Sequence, residues 1–110
     1  MPYDLTLAQR VSTLLRGRRG ITQQRMFGGL CFLVDGKMCC GVERNRLVVR
    51  VGPERYAASL RQQHVKPMDF TGRPLRGFLY VLGEGVKSQT QLKRWIDAGL
   101  THARSLPQKP

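Results

Sequence analysis

Apolar residues in the first part of the chain recur every three or four positions, which is the spacing of one buried helix face. Asp4 or Thr6 provides a capping side chain at the start of this pattern, and Gly17 provides a stop at its end. The sequence therefore predicts a first helix with the buried positions Leu7, Ala8, Val11, Leu14 and Leu15.

From Gln24 onward the pattern changes to short runs in which alternate residues are apolar, as expected of β-strands. Asp35-Gly36 is a strong signal for a hairpin turn of type I′, because that turn requires positive φ at both central positions. The turn pairs residues 30–34 with residues 37–41. The following run RLVVRV predicts a further strand, with the core positions Leu47, Val49 and Val51.

The second half of the chain begins with Gly52-Pro53-Glu54, a typical helix start, and a short helix is predicted through Leu60. A turn-rich segment leads to the strand GFLYVLG, and a capping box at SQTQ starts a final helix that Trp95 docks. Residues 1–106 are predicted to form one α+β domain of two layers, with the helices packed on one face of an antiparallel sheet. Residues 107–110 are predicted to form a short tail.

The balance of charge is the unusual feature of the composition. Nineteen Lys and Arg residues against seven Asp and Glu residues give a formal net charge of +12. A field of this sign attracts nucleic acids, acidic proteins and anionic membranes without choosing among them. Because the basic residues are scattered, a solvated surface and a polyanion-binding face both remain open interpretations. The candidate polyanion-binding residues are Arg16, Arg18, Arg19, Arg46, Arg50, Arg73 and Arg76.

Targeting signals are not visible in the sequence. No apolar run approaches the roughly 20 residues that a membrane-spanning helix needs. The first residues, MPYDLTLAQR, lack the basic and apolar regions of a secretory signal. We therefore expect a cytoplasmic protein without a membrane partner.

The three cysteines, Cys31, Cys39 and Cys40, all fall in the predicted hairpin. Their spacing does not fit a zinc site, because adjacent residues of a strand point to opposite faces. The predicted turn brings Cys31 opposite Cys40 with Cα atoms about 4.5 Å apart, which is close to disulfide geometry. A reversible redox pair of Cys31 and Cys40 and ordinary packing of small thiols are the two alternatives.

The sequence contains few candidate catalytic residues. A cysteine nucleophile requires a histidine within reach, and His64 and His102 are isolated in the sequence. Gly28-Gly29 opens a strand rather than a helix, so it does not match a phosphate cradle. The carboxylates form no paired-acid motif for acid–base chemistry. The sequence therefore predicts no enzymatic activity, no metal site and no cofactor.

Four separated segments resemble the N-terminal domain of the TfoX/Sxy family of bacterial competence regulators. In chain order they are RMFGGLCFLVDGKMCCGV, RLVVRVGPERY, HVKPMDFTGRPLRGFLYV and LKRWIDAGL. The resemblance extends from about Val11 to Ala103, which is nearly the whole chain. It implies a small α+β fold similar to type III secretion chaperones, with no cofactor and no known enzymatic activity.

Full-length members of this family act as positive regulators of DNA-uptake genes alongside a transcription factor, and they carry a second, C-terminal helical domain. This sequence ends at Pro110, just after the N-terminal domain. The resemblance therefore implies a regulatory or protein-interaction module that stands alone, with a partner from the transcription machinery or its regulators. The alternative hypothesis is a basic protein that binds DNA or RNA through a positively charged face.

A homodimer is a further expectation. The hairpin carries apolar residues on both of its faces, whereas helices cover only one face of a two-layer sheet. Exposed apolar sheet surface commonly marks an interface. We therefore expect a weak or moderate homodimer through the uncovered face.

Overall fold

The computed structural model describes residues 3–26, 28–69 and 72–107. Helix α1 (Leu5–Leu15) precedes the strands β1 (Ile21–Met26), β2 (Gly29–Val34), β3 (Lys37–Glu43) and β4 (Arg46–Arg50). Helix α2 (Pro53–Leu60) leads to the hairpin of β5 (Val65–Asp69) and β6 (Pro74–Val81). A 3₁₀ turn (Gly83–Val86) and helix α3 (Gln89–Ser105) follow. Residues 108–110 of the predicted tail lie outside the described residues.

The six strands form one antiparallel sheet in the order β1-β2-β3-β4-β6-β5. Buried residues of α1 and α3, and partly buried residues of α2, pack against the same face of the sheet. This arrangement confirms the predicted α+β fold. Strand β5 is a correction, because its residues VKPMD lie in the segment that is predicted to be turn-rich. A proline is compatible with a strand at the edge of a sheet, where its missing N–H faces solvent.

Local signals set the ends of the helices and the hairpin as predicted. The side chain of Asp4 accepts hydrogen bonds from two backbone N–H groups in the first turn of α1, at 2.8 and 3.1 Å. Ser88 and Gln91 form the reciprocal capping box of α3. Asp35 and Gly36 have φ values of 50° and 80°, as a type I′ turn requires. None of the described helices is long and apolar enough to cross a membrane.

The cluster between the helices and the sheet is called the helix-side core. Its largest fully buried side chain is Phe32 of β2, and Trp95 docks α3 onto the sheet as predicted. Helix α3 approaches β3 closely at Gly99, where a Cβ atom would lie 2.5 Å from the carbonyl oxygen of Cys39. Because glycine has no Cβ, Gly99 allows this contact between helix and strand.

A second apolar cluster lies on the opposite face of the sheet and is called the helix-free core. Its buried members are Cys31, Met38, Val48, Met68 and Tyr80, which are between 1% and 7% exposed. The expectation of an exposed apolar sheet face is therefore wrong for these residues. Longer side chains of neighbouring strands, including Arg46 over Tyr80, close this face instead of a helix. The homodimer was predicted from an exposed apolar surface, and these residues do not provide one because they are already buried within the single chain.

The β2–β3 hairpin contains a register shift that the sequence did not reveal. Next to the turn, Leu33 pairs with Met38 as predicted, but beyond the shift Phe32 pairs with Cys40 and Cys31 pairs with Gly41. The extra residue is Cys39, which is typical of a β-bulge. As a result Cys39 and Cys40 are both buried in the helix-side core, while Cys31 belongs to the helix-free core. The predicted placement of Cys31 opposite Cys40 is therefore wrong.

Candidate binding surfaces

The seven predicted polyanion-binding arginines fall in three segments of the chain. These are the segment after α1 (Arg16, Arg18 and Arg19), strand β4 (Arg46 and Arg50) and the start of β6 with the turn before it (Arg73 and Arg76). The first group lies on the helix side, where Arg18 contacts Asp97 of α3 at 3.4 Å. The β4 pair points to the opposite face, over the helix-free core. The structure therefore does not join all seven residues into one surface.

Two arginines of β4 lie over two aromatic rings of β6, and we call this group the arginine face. The guanidinium carbon of Arg46 is 3.7 Å from the ring centre of Tyr80. That of Arg50 is 5.3 Å from the ring centre of Phe78. Both distances lie within the roughly 6 Å range of a cation–π interaction. These contacts hold the two cations against the sheet rather than leaving them free in solvent.

The strand register explains this arrangement. Strands β4 and β6 are antiparallel, with Val48 opposite Tyr80 and Arg50 opposite Phe78. Alternate residues of a strand share a face, so Arg46 and Arg50 flank the small side chain of Val48 on the side of the two rings. Arg46 reaches Tyr80 as a diagonal neighbour, and Arg50 reaches Phe78 directly across the strands.

Glu43 fixes one side of the Arg46 guanidinium. The Nε–H of Arg46 donates to Oε1 of Glu43 at 2.6 Å, and Arg44 approaches the other carboxylate oxygen at 3.4 Å. A guanidinium carries five N–H donors, so this contact leaves the terminal nitrogens of Arg46 able to donate to a ligand. A planar cation that is oriented by both a ring and a carboxylate is suited to bidentate recognition of carboxylate or phosphate.

The phenol of Tyr80 takes part in the same electrostatic group. Burial raises the pKa of Tyr80, and Glu43 raises it further, while the positive charge of Arg46 opposes this shift. The phenol is therefore protonated at neutral pH, and the arginine face carries no tyrosinate charge that would cancel its cations.

His102 is a residue that sequence reasoning did not connect with this region. It lines a groove of about 460 Å³ together with Arg50 of β4 and Glu54 of α2. The imidazole lies against Gly52, whose φ of 89° and close contact with the ring leave no room for a side chain. Burial lowers the pKa of His102, and Arg50 lowers it further, while Glu54 acts in the opposite direction. The imidazole is therefore neutral at pH 7.

The three cysteines are free thiols in buried positions. Burial raises the pKa of Cys31 to about 11. A hydrogen bond with Cys39, together with burial, raises the pKa of Cys40. A raised pKa makes the thiols of Cys31 and Cys40 poor nucleophiles, because the thiolate is the reactive form. Within residues 3–26, 28–69 and 72–107, no group of three or more His, Cys, Asp or Glu side chains could hold a metal ion.

The aromatic half of the arginine face was not identified from sequence, although one signal was present. In GFLYVLG, alternation places Phe78 and Tyr80 on one face and Leu79 and Val81 on the other. This pattern places two aromatic residues on the same face of the strand, without showing which face the helices cover. It could not show that β6 pairs with β4, because α2 and β5 lie between these strands in the chain.

A six-stranded antiparallel sheet with helices on one face and oriented cations on the other defines a small α+β domain. Comparison with known protein families identifies the family of this domain. Residues 13–103 match the TfoX N-terminal domain, so the chain belongs to that family. This family is regulatory in type and is not a known family of enzymes. A comparison with curated proteins finds no significant match.

Proposed function

We infer that this domain is a non-enzymatic regulatory module that acts by binding another macromolecule through the arginine face. The observation that carries this proposal is the orientation of Arg46 and Arg50 over the rings of Tyr80 and Phe78. Ordered cations lose less side-chain entropy on binding than mobile ones, so they are suited to a specific anionic partner. Membership of the TfoX N-terminal domain family supports a regulatory role.

The first candidate partner is a protein with an acidic surface, from the transcription machinery or a transcription regulator. The family resemblance supports this class, and competence regulation in the bacterial cytoplasm is the corresponding setting. Glu43 makes the recognition selective, since it occupies one side of Arg46 and leaves a defined set of donors for the partner. The net charge of +12 would accelerate association with such a partner.

The test is affinity purification of the tagged chain from its native cells at low and high salt, with nuclease treatment. We expect the native chain to retain a defined protein after nuclease treatment, and the double variant Arg46→Gln/Arg50→Gln to lose it. The matched control is Arg61→Gln/Arg104→Gln, which removes the same charge from exposed positions elsewhere. If all three chains retain the same protein to the same extent, the arginine face is not the binding surface.

Nucleic acid is the second candidate partner, and the stacked pair of Arg46 and Tyr80 is the observation that favours it. Unpaired bases stack on guanidinium planes and aromatic rings, and arginines contact phosphates. The measurement is fluorescence anisotropy with labelled single-stranded DNA and RNA over a range of salt concentrations. Loss of two phosphate contacts in Arg46→Gln/Arg50→Gln should reduce the salt slope by about 1.4. No binding by the native chain at low salt would exclude this candidate.

A further inference from the structure

The two edges of the sheet differ in their ability to accept another strand. At one edge, β5 contains Pro67, which has no N–H, and its pairing with β6 shifts register between Pro67 and Asp69. Both features block strand addition. At the other edge, β1 pairs with β2 in continuous register over all six of its residues. Among the described strands, β2 is the only neighbour of β1, so the outer edge of β1 is open.

The hydrogen bonds at the start of β1 show which of its backbone groups point outward. The carbonyl of Gly20 accepts from the N–H of Asp35 at 3.0 Å, so the backbone of Gly20 faces the β2 side. Inward and outward residues alternate along an antiparallel strand. The N–H and C=O groups of Ile21, Gln23 and Arg25 therefore point to the outer edge, where an added strand would bond them.

A cleft lies directly beside this edge on the helix side. It has a volume of about 250 Å³ and is situated between the end of α1 and β1. Leu15 and Phe32 are buried beneath it, and Ile21 and Gln23 line its β1 side. Because successive side chains of a strand alternate between faces, every second side chain of an added strand would reach this cleft. The buried lining favours an apolar side chain there.

The surroundings of the cleft are positively charged. Arg16 and Arg18 line it, Arg19 is exposed just beyond it, and Arg25 lies on the same face of β1 as Gln23. Asp97 binds Arg18, and Asp35 lies near Gly20 at the start of β1. Four arginines against two carboxylates favour an occupant that carries negative charge.

We propose that the outer edge of β1 and this cleft form a docking site for an extended, acidic segment of a partner protein, which adds to the sheet as a seventh strand. Backbone hydrogen bonds to Ile21, Gln23 and Arg25 provide affinity, an apolar side chain fills the cleft, and acidic side chains contact the arginines. This site is on the opposite side of the domain from the arginine face, so it does not depend on the function proposed for that face.

The test uses the full chain and a short synthetic peptide of alternating glutamate and valine. Amide NMR spectra of the ¹⁵N-labelled chain report where the peptide binds, and we expect the largest shifts at Ile21, Gln23 and Arg25. Gln23→Pro removes an outward N–H that has no role in pairing with β2, so it should weaken binding about tenfold. Gln23→Thr is the matched control, because it changes the same side chain and keeps the N–H.

Two further comparisons separate the parts of the proposal. Replacing the glutamates of the peptide by lysine, or making Arg16→Glu/Arg19→Glu in the chain, should weaken binding about tenfold if charge selects the occupant. Thermal unfolding of each variant checks that the fold is retained. Binding of the lysine peptide as tightly as the glutamate peptide would overturn the acidic character of the partner.

The same spectra distinguish other occupants. Concentration-dependent shifts of the β1 amides without peptide would identify a second copy of the chain as the occupant and overturn the proposal. Shifts at β1 with an oligonucleotide but not with the peptide would also overturn it. Peptide-induced shifts at Arg46 and Arg50 instead of β1 would assign the peptide to the arginine face and exclude the β1 site.

Discussion

The two faces of the sheet both bury apolar residues, but they are closed in different ways. The helix-side core is covered by α1 and α3, whose own apolar residues complete it. The helix-free core is covered by side chains of the sheet itself, and Arg46 and Arg50 lie over its aromatic rings. A cation can therefore close an apolar layer and still present its charge to solvent, because its methylene stem is apolar and its head is polar. The comparison predicts that stability depends mainly on the first face, and the function proposed for the arginine face concerns the second.

Truncation of Phe32 tests the first half of this comparison and should have the largest effect. Phe32 is fully buried between the sheet and the helices. Phe32→Ala should lower the free energy of unfolding by about 3–5 kcal/mol, through lost burial and the cavity left behind. Urea denaturation measures this change, and Phe32→Leu is the milder control. A loss below about 1 kcal/mol would contradict the central role of the helix-side core.

Truncation of Met68 tests the helix-free core. Met68 is 1% exposed but lies on the edge strand β5, where the surroundings can relax. Met68→Ala should cost about 2 kcal/mol, at the low end of the range for buried methionine. The same denaturation experiment compares it with Phe32→Ala. If Met68→Ala is as damaging as Phe32→Ala, the two faces contribute equally to stability and the contrast between them fails.

Removal of Arg46 tests whether the cation closes the second face. Arg46→Ala deletes the contact with Tyr80 and one partner of Glu43, and we expect a loss of about 1 kcal/mol. Arg46→Lys should restore only part of this loss, because an ammonium group does not stack as a guanidinium does. Arg61→Ala, at an exposed position on the helix side, should be close to neutral. Equal stability of Arg46→Ala and the native chain would contradict a role of Arg46 in closing the second face.

The smallest expected effect is a change in the pKa of His102. This pKa responds to the charges of Arg50 on β4 and of Glu54 on α2. Arg50 lowers this pKa, so Arg50→Gln should raise it; Glu54 has the opposite influence, so Glu54→Gln should lower it. NMR titration of the imidazole ring protons measures both shifts. Shifts of the same sign in the two variants would contradict the assigned electrostatic roles.

The same lowered pKa gives a pH dependence of stability with a defined sign. The unfolded chain has a histidine pKa near 6.5, so below that pH it binds more protons than the folded chain. The contribution of His102 to stability is therefore complete above about pH 6.5 and is lost as the pH falls toward the folded pKa. His102→Gln should reduce the loss of stability on acidification through this range, measured by thermal unfolding.

Local features of the fold could be predicted from sequence because each depends on a few adjacent residues. The Asp4 cap of α1, the Asp35-Gly36 turn and the capping box of α3 all follow from residue types with one strong conformational preference. The alternation of RLVVRV also placed Leu47 and Arg46 on opposite faces of β4 correctly. Membership of the TfoX N-terminal domain family, suggested by four separated segments, is confirmed.

Features that depend on distant parts of the chain could not be predicted. The bulge at Cys39 lies where β3 approaches Gly99 of α3, a contact between distant parts of the chain, and Cys39 itself carries no turn or glycine signal. The approach of His102 to Arg50 requires the relative position of α3 and β4, which no local pattern encodes. Edge strand β5 could not be predicted because Pro67 is incompatible with the interior of a sheet, and only the position of β5 at the edge accommodates it.

The unequal edges of the sheet also limit how far such chains can assemble. Polymerisation by strand addition requires two competent ends on each unit, as in a fibril. The described strands leave one open edge, at β1, and one edge interrupted by Pro67 and a register shift, at β5. When two copies of the chain join through their β1 edges, the β5 edges that remain are blocked to a third copy. We therefore expect strand addition to end after a single step, because Pro67 and the register shift of β5 leave no second edge from which filaments of this highly charged domain could grow.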